Sequence, residues 1–145
     1  MEYLSNSVSE TQHLAGILAK KITIGSIISL TGNLGTGKTT FTQGFAKALS
    51  IEEHVGSPTF KLVSEYDGKP HRLYHIDAYR LNGAKDFLNI GGEEFLISKD
   101  GVTLIEWADI ISSVLPKDTI KIKFSRLPGK PETRHIEING LTKNG

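Results

Sequence analysis

The chain contains no cysteine. That absence excludes disulfides, thiolate metal sites and a cysteine nucleophile together. Nor does any apolar run approach the roughly 18 residues of a membrane span. The first residues, MEYLSNSVSETQHLAG, open with an acid and lack the basic-then-apolar form of a secretory leader. A soluble cytoplasmic protein with no membrane partner is the expectation. Charge of one sign is missing too, since 17 basic and 16 acidic residues leave a formal net charge of +1. So balanced a chain does not announce nucleic acid as a direct ligand, although the C-terminal GKPETRHIEINGLTKNG leans positive. Arginine occurs only at positions 72, 80, 126 and 134, and tryptophan only at 107. There is no internal repeat, low-complexity tract or linker. At 145 residues and 38% hydrophobic content, one α/β domain spanning 1–145 is the economical reading.

What is present begins with SETQHLAGILAKKI, where Leu14, Ile17 and Leu18 repeat at helical spacing behind a capping box of Ser9 and Gln12. SIISL, at 26–30, is a short apolar run followed at once by glycines, which suits a buried parallel strand. KTTFTQGFAKAL continues as a helix, with Phe41, Phe45 and Leu49 on one face. FKLVSEY and HRLYHIDAY read as paired strands joined around Asp67-Gly68. Residues 83–101 are glycine-dotted with short helical pieces. VTLIEWAD is a compact apolar strand ending in acids, and IISSVL a helical turn stopped by Pro116. TIKIKFS and RHIEING alternate apolar and polar residues, as half-exposed strands of an antiparallel pair would.

The stretch SLTGNLGTGKTTFTQG carries the pattern Gly-x4-Gly-Lys-Thr from Gly32 to Thr39, with an apolar strand before it and a helix after. Glycines at such a turn permit positive φ and leave the concavity free of side chains. Backbone N–H groups around 34–39 then converge on a phosphate, and the helix N-terminus adds positive potential. In this pattern Lys38 reaches the β/γ oxygens, the Thr39 hydroxyl ligates Mg²⁺ and Thr40 supports the α-phosphate. The competing account is a glycine-rich turn with a surface lysine. The expected fold is a P-loop NTPase-like, three-layer α/β domain with a mostly parallel central sheet and antiparallel edge strands.

Such loops need an acid at the end of a second parallel strand. Glu106 fits that place as a metal acid; the alternative is a helix-capping role shared with Asp109. Asp77, at the end of YHID, could orient or deprotonate the attacking water, hold metal through water, or be a plain turn aspartate. Thr59 in GSPTF could sense the γ-phosphate through Mg²⁺, or belong to a Ser-Pro-Thr turn. Trp107 reads as core or rim packing. His71 and His75 would share a strand face, but no third metal ligand accompanies them. A guanine-reading Asn-Lys-x-Asp segment is absent, as is an arginine-bearing lid. These absences leave an ATPase dependent on a partner ahead of a GTPase switch or a small-molecule or nucleoside kinase. A non-hydrolysing, ATP-gated interaction module is a third reading.

Four segments in this order, GNLGTGKTTF, SPTFKLVSEY, YHIDAYRL and LIEWAD, resemble the TsaE (YjeE) ATPase family of bacterial tRNA threonylcarbamoyladenosine synthesis. The likeness runs from the N-terminal helix to at least residue 110, and the C-terminal third resembles the family only loosely. It implies a Mg²⁺-dependent ATP hydrolase of low intrinsic activity that works with the TsaB–TsaD pair. In that pair TsaD transfers the threonylcarbamoyl group to adenosine 37 of ANN-decoding tRNAs, so this chain would meet tRNA only through the complex. Hydrolysis is expected to reset the complex between turnovers. The resemblance implies that Leu34, Gly35, Thr36, Gly37, Lys38, Thr39 and Thr40 cradle the triphosphate and that Thr39 and Glu106 hold Mg²⁺. Lys38, Asp77 and Glu106 would be the catalytic residues. Thr59 falls in a switch-like loop, Ser9 and Thr11 in the segment beside the adenine, and Arg134 is a late nucleotide contact. Asn33 and Thr36 depart from the aspartate and alanine common in the family, at positions whose side chains the phosphate chemistry does not require.

Overall fold

A computed structural model describes residues 1–33, 35–53, 55, 63–97 and 100–141. The chain builds one seven-stranded sheet from β1 (Glu2–Ser5), β2 (Ile27–Thr31), β3 (Val63–Tyr66), β4 (Arg72–Asp77), β5 (Gly101–Glu106), β6 (Ile120–Leu127) and β7 (Lys130–Asn139), in the spatial order β1-β7-β6-β2-β5-β4-β3. The four central strands β6, β2, β5 and β4 are parallel, whereas β1, β7 and β3 join antiparallel at the flanks. This is the expected mixed α/β sheet.

Burial explains the order. Every residue of β5 is buried, as befits an apolar run covered on both faces. β6 alternates instead: Ile120, Ile122 and Phe124 are buried while Lys121 and Lys123 are exposed, as the sequence alternation predicts. Helices α1 (Val8–Lys21) and α2 (Lys38–Ala48) cover one face, over a core that includes Leu18, Phe41, Phe45, Leu30 and Leu104. The other face packs Ile27, Ile76 and Ile105 against Phe87 of α3 (Ala84–Asn89) and against Ala108 and Ile111 of a 3-10 helix, Ala108–Val114. A second short helix, α4 (Glu93–Leu96), precedes β5. α1 and α2 approach closely at Gly44, where a Cβ would lie 2.5 Å from the Gln12 Cα. Among the described residues no helix is long and apolar enough to cross a membrane.

Two local readings change. The N-cap of helix α1 lies two residues before Ser9: Ser7 is extended at φ −160°, and its side chain accepts the Glu10 N–H at 3.0 Å. Glu10 in turn accepts the Asn6 N–H at 2.5 Å, so the capping pair is Ser7 and Glu10 rather than Ser9 and Gln12. Strand β1 carries no alternation signal of its own; it exists because β7 offers it an edge, pairing Tyr3 with Ile136 and Ser5 with Arg134.

Candidate functional site

The turn from β2 into α2 is the loop singled out in the sequence. Gly32, Gly35 and Gly37 all adopt positive φ, at 142°, 77° and 106°. Gly37 is the N-cap of α2 with no side-chain cap, so the first N–H groups of the helix stay directed towards the loop's concavity. Thr36 closes the turn from within: it is buried, and its hydroxyl donates to the Asn33 carbonyl at 2.6 Å. Lys38 folds back, its Nζ donating to the Gly32 carbonyl and, at 3.1 Å, to that of Asn33. The ammonium also lies 3.9 Å from the centroid of the Trp107 ring. Burial pulls the Lys38 pKa down, and the carboxylates of Glu106, Asp109 and Asp77 oppose that shift.

The acids come from the two strands beside the loop. Because β5 runs parallel to both β2 and β4, Glu106 stands level with Leu30 on one side and Asp77 on the other. Glu106 is 2% exposed. Its Oε1 accepts from the Thr39 hydroxyl at 3.3 Å, and its Oε2 meets His75 Nε2 at 2.5 Å. Asp77 accepts the Tyr79 N–H at 3.0 Å. Burial pushes the Asp77 pKa up, with Glu106 adding to the rise while the Tyr79 N–H, His75 and Lys38 hold it back. Immediately after Glu106, Trp107 sits at φ 58°, an uncommon conformation for a bulky residue, and its ring packs 4.9 Å from that of Tyr79. Trp107 is the N-cap of the 3-10 helix that follows and makes no side-chain cap hydrogen bond.

A cavity of about 250 Å³ opens over these groups. Gly35, Gly37, Lys38, Thr39 and Thr40 line its floor, and Glu106 and Trp107 one wall. The opposite rim is made by Ser7, Val8 and Thr11 at the start of α1 and by Glu132 and Arg134 of β7. Thr11 is therefore at the cavity, but Ser9 is not: it faces a separate shallow groove with Gln12 and His13. The two-residue shift of the N-cap brings Ser7 to the position expected of Ser9. Thr36 and Asp77 are not among the residues lining the cavity, although half-buried Asp77 ends β4 level with Glu106. Leu34 and Thr59 lie outside the described residues.

Ser7, Val8 and Glu132 of the lining, and Arg126 beside it, were not legible as site residues, whereas Arg134 was expected. Ser7 and Val8 follow β1, whose last residue Ser5 pairs with Arg134 of β7 on the same rim. Arg126 of β6 donates to the Gly35 carbonyl at 3.0 Å, and Arg134, its register partner on β7, donates to the same oxygen at 3.3 Å. No local motif marks that clasp. His75 did carry a signal, since it stands two residues before Asp77 and so shares its strand face. The two histidines do not converge: His71 Nε2 pairs with the Ile22 carbonyl at 3.1 Å, whereas His75 pairs with Glu106.

Residues 5–136 match the family model described as threonylcarbamoyl adenosine biosynthesis protein TsaE. The chain belongs to the TsaE family. The match extends through β6 and most of β7, so it includes much of the C-terminal third. Among curated relatives, a Treponema pallidum protein is 38% identical over 122 residues, covering 84% of this chain and 89% of the relative. A Bacillus subtilis protein is 39% identical over 117 residues, covering 81% and 72% respectively. Both are named tRNA threonylcarbamoyladenosine biosynthesis protein TsaE. The crystal structure of Bacillus subtilis YdiB superposes with a TM-score of 0.80 at 33% identity, covering 94% of this chain and 82% of that one.

Proposed function

We propose that this TsaE family member binds ATP with Mg²⁺ over the β2–α2 loop and hydrolyses it, as the ATPase component of the tRNA threonylcarbamoyladenosine machinery. The relatives' names support the pathway. The convergence of Lys38, Thr39 and Glu106 on one cavity supports the chemistry. The loop amides and the uncapped N-terminus of α2 bind the β-phosphate. Lys38 exchanges its two loop carbonyls for β/γ oxygens. Thr11, Ser7 and Arg134 flank the nucleoside end.

The residues present fit magnesium. Thr39 and Glu106 bring a hydroxyl and a carboxylate oxygen to within 3.3 Å of each other. Among the described residues no group of three His, Cys, Asp or Glu side chains forms a closed cage. Magnesium favours such sparse oxygen sites, completing its shell with water and phosphate oxygens. When bound, the ion neutralises charge developing on the phosphoryl oxygens. Asp77, with its raised proton affinity, orients the attacking water and accepts its proton.

Hydrolysis is slow alone and accelerates with the TsaB–TsaD pair in the cytoplasm, tRNA being reached only through that complex. The deciding experiment follows γ-labelled ATP with and without the pair. Label released as inorganic phosphate, faster with the pair, is the expected result. Label passed to an acceptor would make the chain a kinase, and bound ATP with no release even with the pair would make it a non-hydrolysing module.

A further inference from the structure

Glu106 is buried, and its two oxygens have different partners. Oε1 faces Thr39 at 3.3 Å, on the cavity side, while Oε2 faces His75 at 2.5 Å, within the sheet. His75 itself is fully buried on the central strand β4, level with Leu104 of β5 and one side-chain step behind Asp77. Its other ring nitrogen, Nδ1, has no hydrogen-bond partner among the described residues. The imidazole therefore has one polar commitment there, to the oxygen of Glu106 that faces away from the cavity.

We propose that His75 is a positioning residue, which fixes the Glu106 carboxylate so that Oε1 is presented to the metal ion beside Thr39. The inference rests on the nucleotide reading above. A carboxylate on a three-bond side chain has several rotamers, and an oxygen held from behind removes most of them. Ligating carboxylates are commonly hydrogen-bonded by such outer partners, whose loss costs about 10–100-fold in metal affinity. A merely structural role, packing between β3 and β5, would need the volume of the ring but not its N–H.

Three variants of the full chain separate these roles: His75→Gln, whose amide nitrogen reaches as far as Nε2, His75→Asn, whose amide stops short, and His75→Leu, which keeps volume alone. The readout is Mn²⁺ binding by electron paramagnetic resonance in the presence of a non-hydrolysable ATP analogue. Analogue binding in EDTA and the melting temperature are measured alongside. Expected are a loss of Mn²⁺ affinity of roughly 10–100-fold in the asparagine and leucine variants, near-parental affinity in the glutamine variant, and unchanged metal-free analogue binding in all three. Should the leucine variant fail to fold, the asparagine–glutamine comparison carries the test. Parental Mn²⁺ affinity in the asparagine variant, or equal loss in asparagine and glutamine, would overturn the proposal. Absence of analogue binding by the unaltered chain would instead overturn the nucleotide reading itself.

Discussion

The Lys38 ammonium rests 3.9 Å from the centroid of the Trp107 ring while it donates to the carbonyls of Gly32 and Asn33. The lysine that the phosphate chemistry needs is thus already desolvated and satisfied by its own loop. An incoming triphosphate must offer it better oxygens than two carbonyls and an aromatic face. Phosphate does, because its oxygens carry formal negative charge that neutral carbonyls lack, so an ion-pair attraction is added to the hydrogen bond.

The first prediction follows from that exchange. ATP should change the emission of Trp107, the chain's single tryptophan, as the cation leaves its ring. Lys38→Ala should lower ATP affinity by roughly 10–100-fold, the worth of one or two hydrogen bonds to a charged group, and Lys38→Arg should not restore it. A fluorescence titration of the three proteins checks this. Unchanged affinity in Lys38→Ala would remove the lysine from the site.

Glu106→Gln retains the size of the side chain and one oxygen but loses the charge that holds a cation. Hydrolysis should fall roughly 100-fold, since a catalytic metal contributes several kcal/mol to the transition state. Nucleotide affinity measured in EDTA should stay near that of the parent. Phosphate release across a Mg²⁺ titration, with metal-free binding measured in parallel, checks both halves. An undiminished rate would return Glu106 to a structural role.

The sequence showed the loop and both strand-end acids because those features are local. A glycine pattern between an apolar strand and a helix, or an acid closing an apolar run, can be seen within ten residues. Parallel β2, β5 and β4 then bring Leu30, Glu106 and Asp77 level without further information. What stayed hidden is non-local. Arg126, which carried no expectation, and the expected Arg134 reach the Gly35 carbonyl through the β6–β7 register, 91 and 99 residues away in sequence. Ser7 at the cavity follows β1, which pairs with β7. The choice between Ser7 and Ser9 as cap turned on one residue, Glu10, whose carboxylate reaches back where Gln12 does not.

Burial raises the Asp77 pKa above its ordinary value of 3.8. A raised pKa means that the folded chain binds more protons than the unfolded one between 3.8 and the folded value. Stability is therefore greatest below that window and declines as pH rises through it. Asp77→Asn should remove this penalty while still accepting the Tyr79 N–H, so it should melt higher than the parent at neutral pH. The advantage should vanish as pH falls below 3.8. Thermal melts of both proteins across pH check the sign, and phosphate release should show the stabilised variant to be inactive. An asparagine variant that melts lower at neutral pH would refute the account.

Arg126 and Arg134 act on one acceptor, the Gly35 carbonyl, so their effects should not add. Each guanidinium alone can still hold the loop, so the second matters more once the first is gone. Arg126→Ala should weaken ATP binding several-fold although Arg126 is not among the residues lining the cavity, because a freed loop must be ordered at each binding event. Arg134→Ala should cost more, since Arg134 lines the cavity as well. The double variant should depart from the sum of the singles by an interaction energy of about 0.5–3 kcal/mol, the range for groups sharing a partner. Isothermal titration of ATP into the four proteins measures that coupling. Strict additivity would mean that the two arginines act independently of the shared carbonyl.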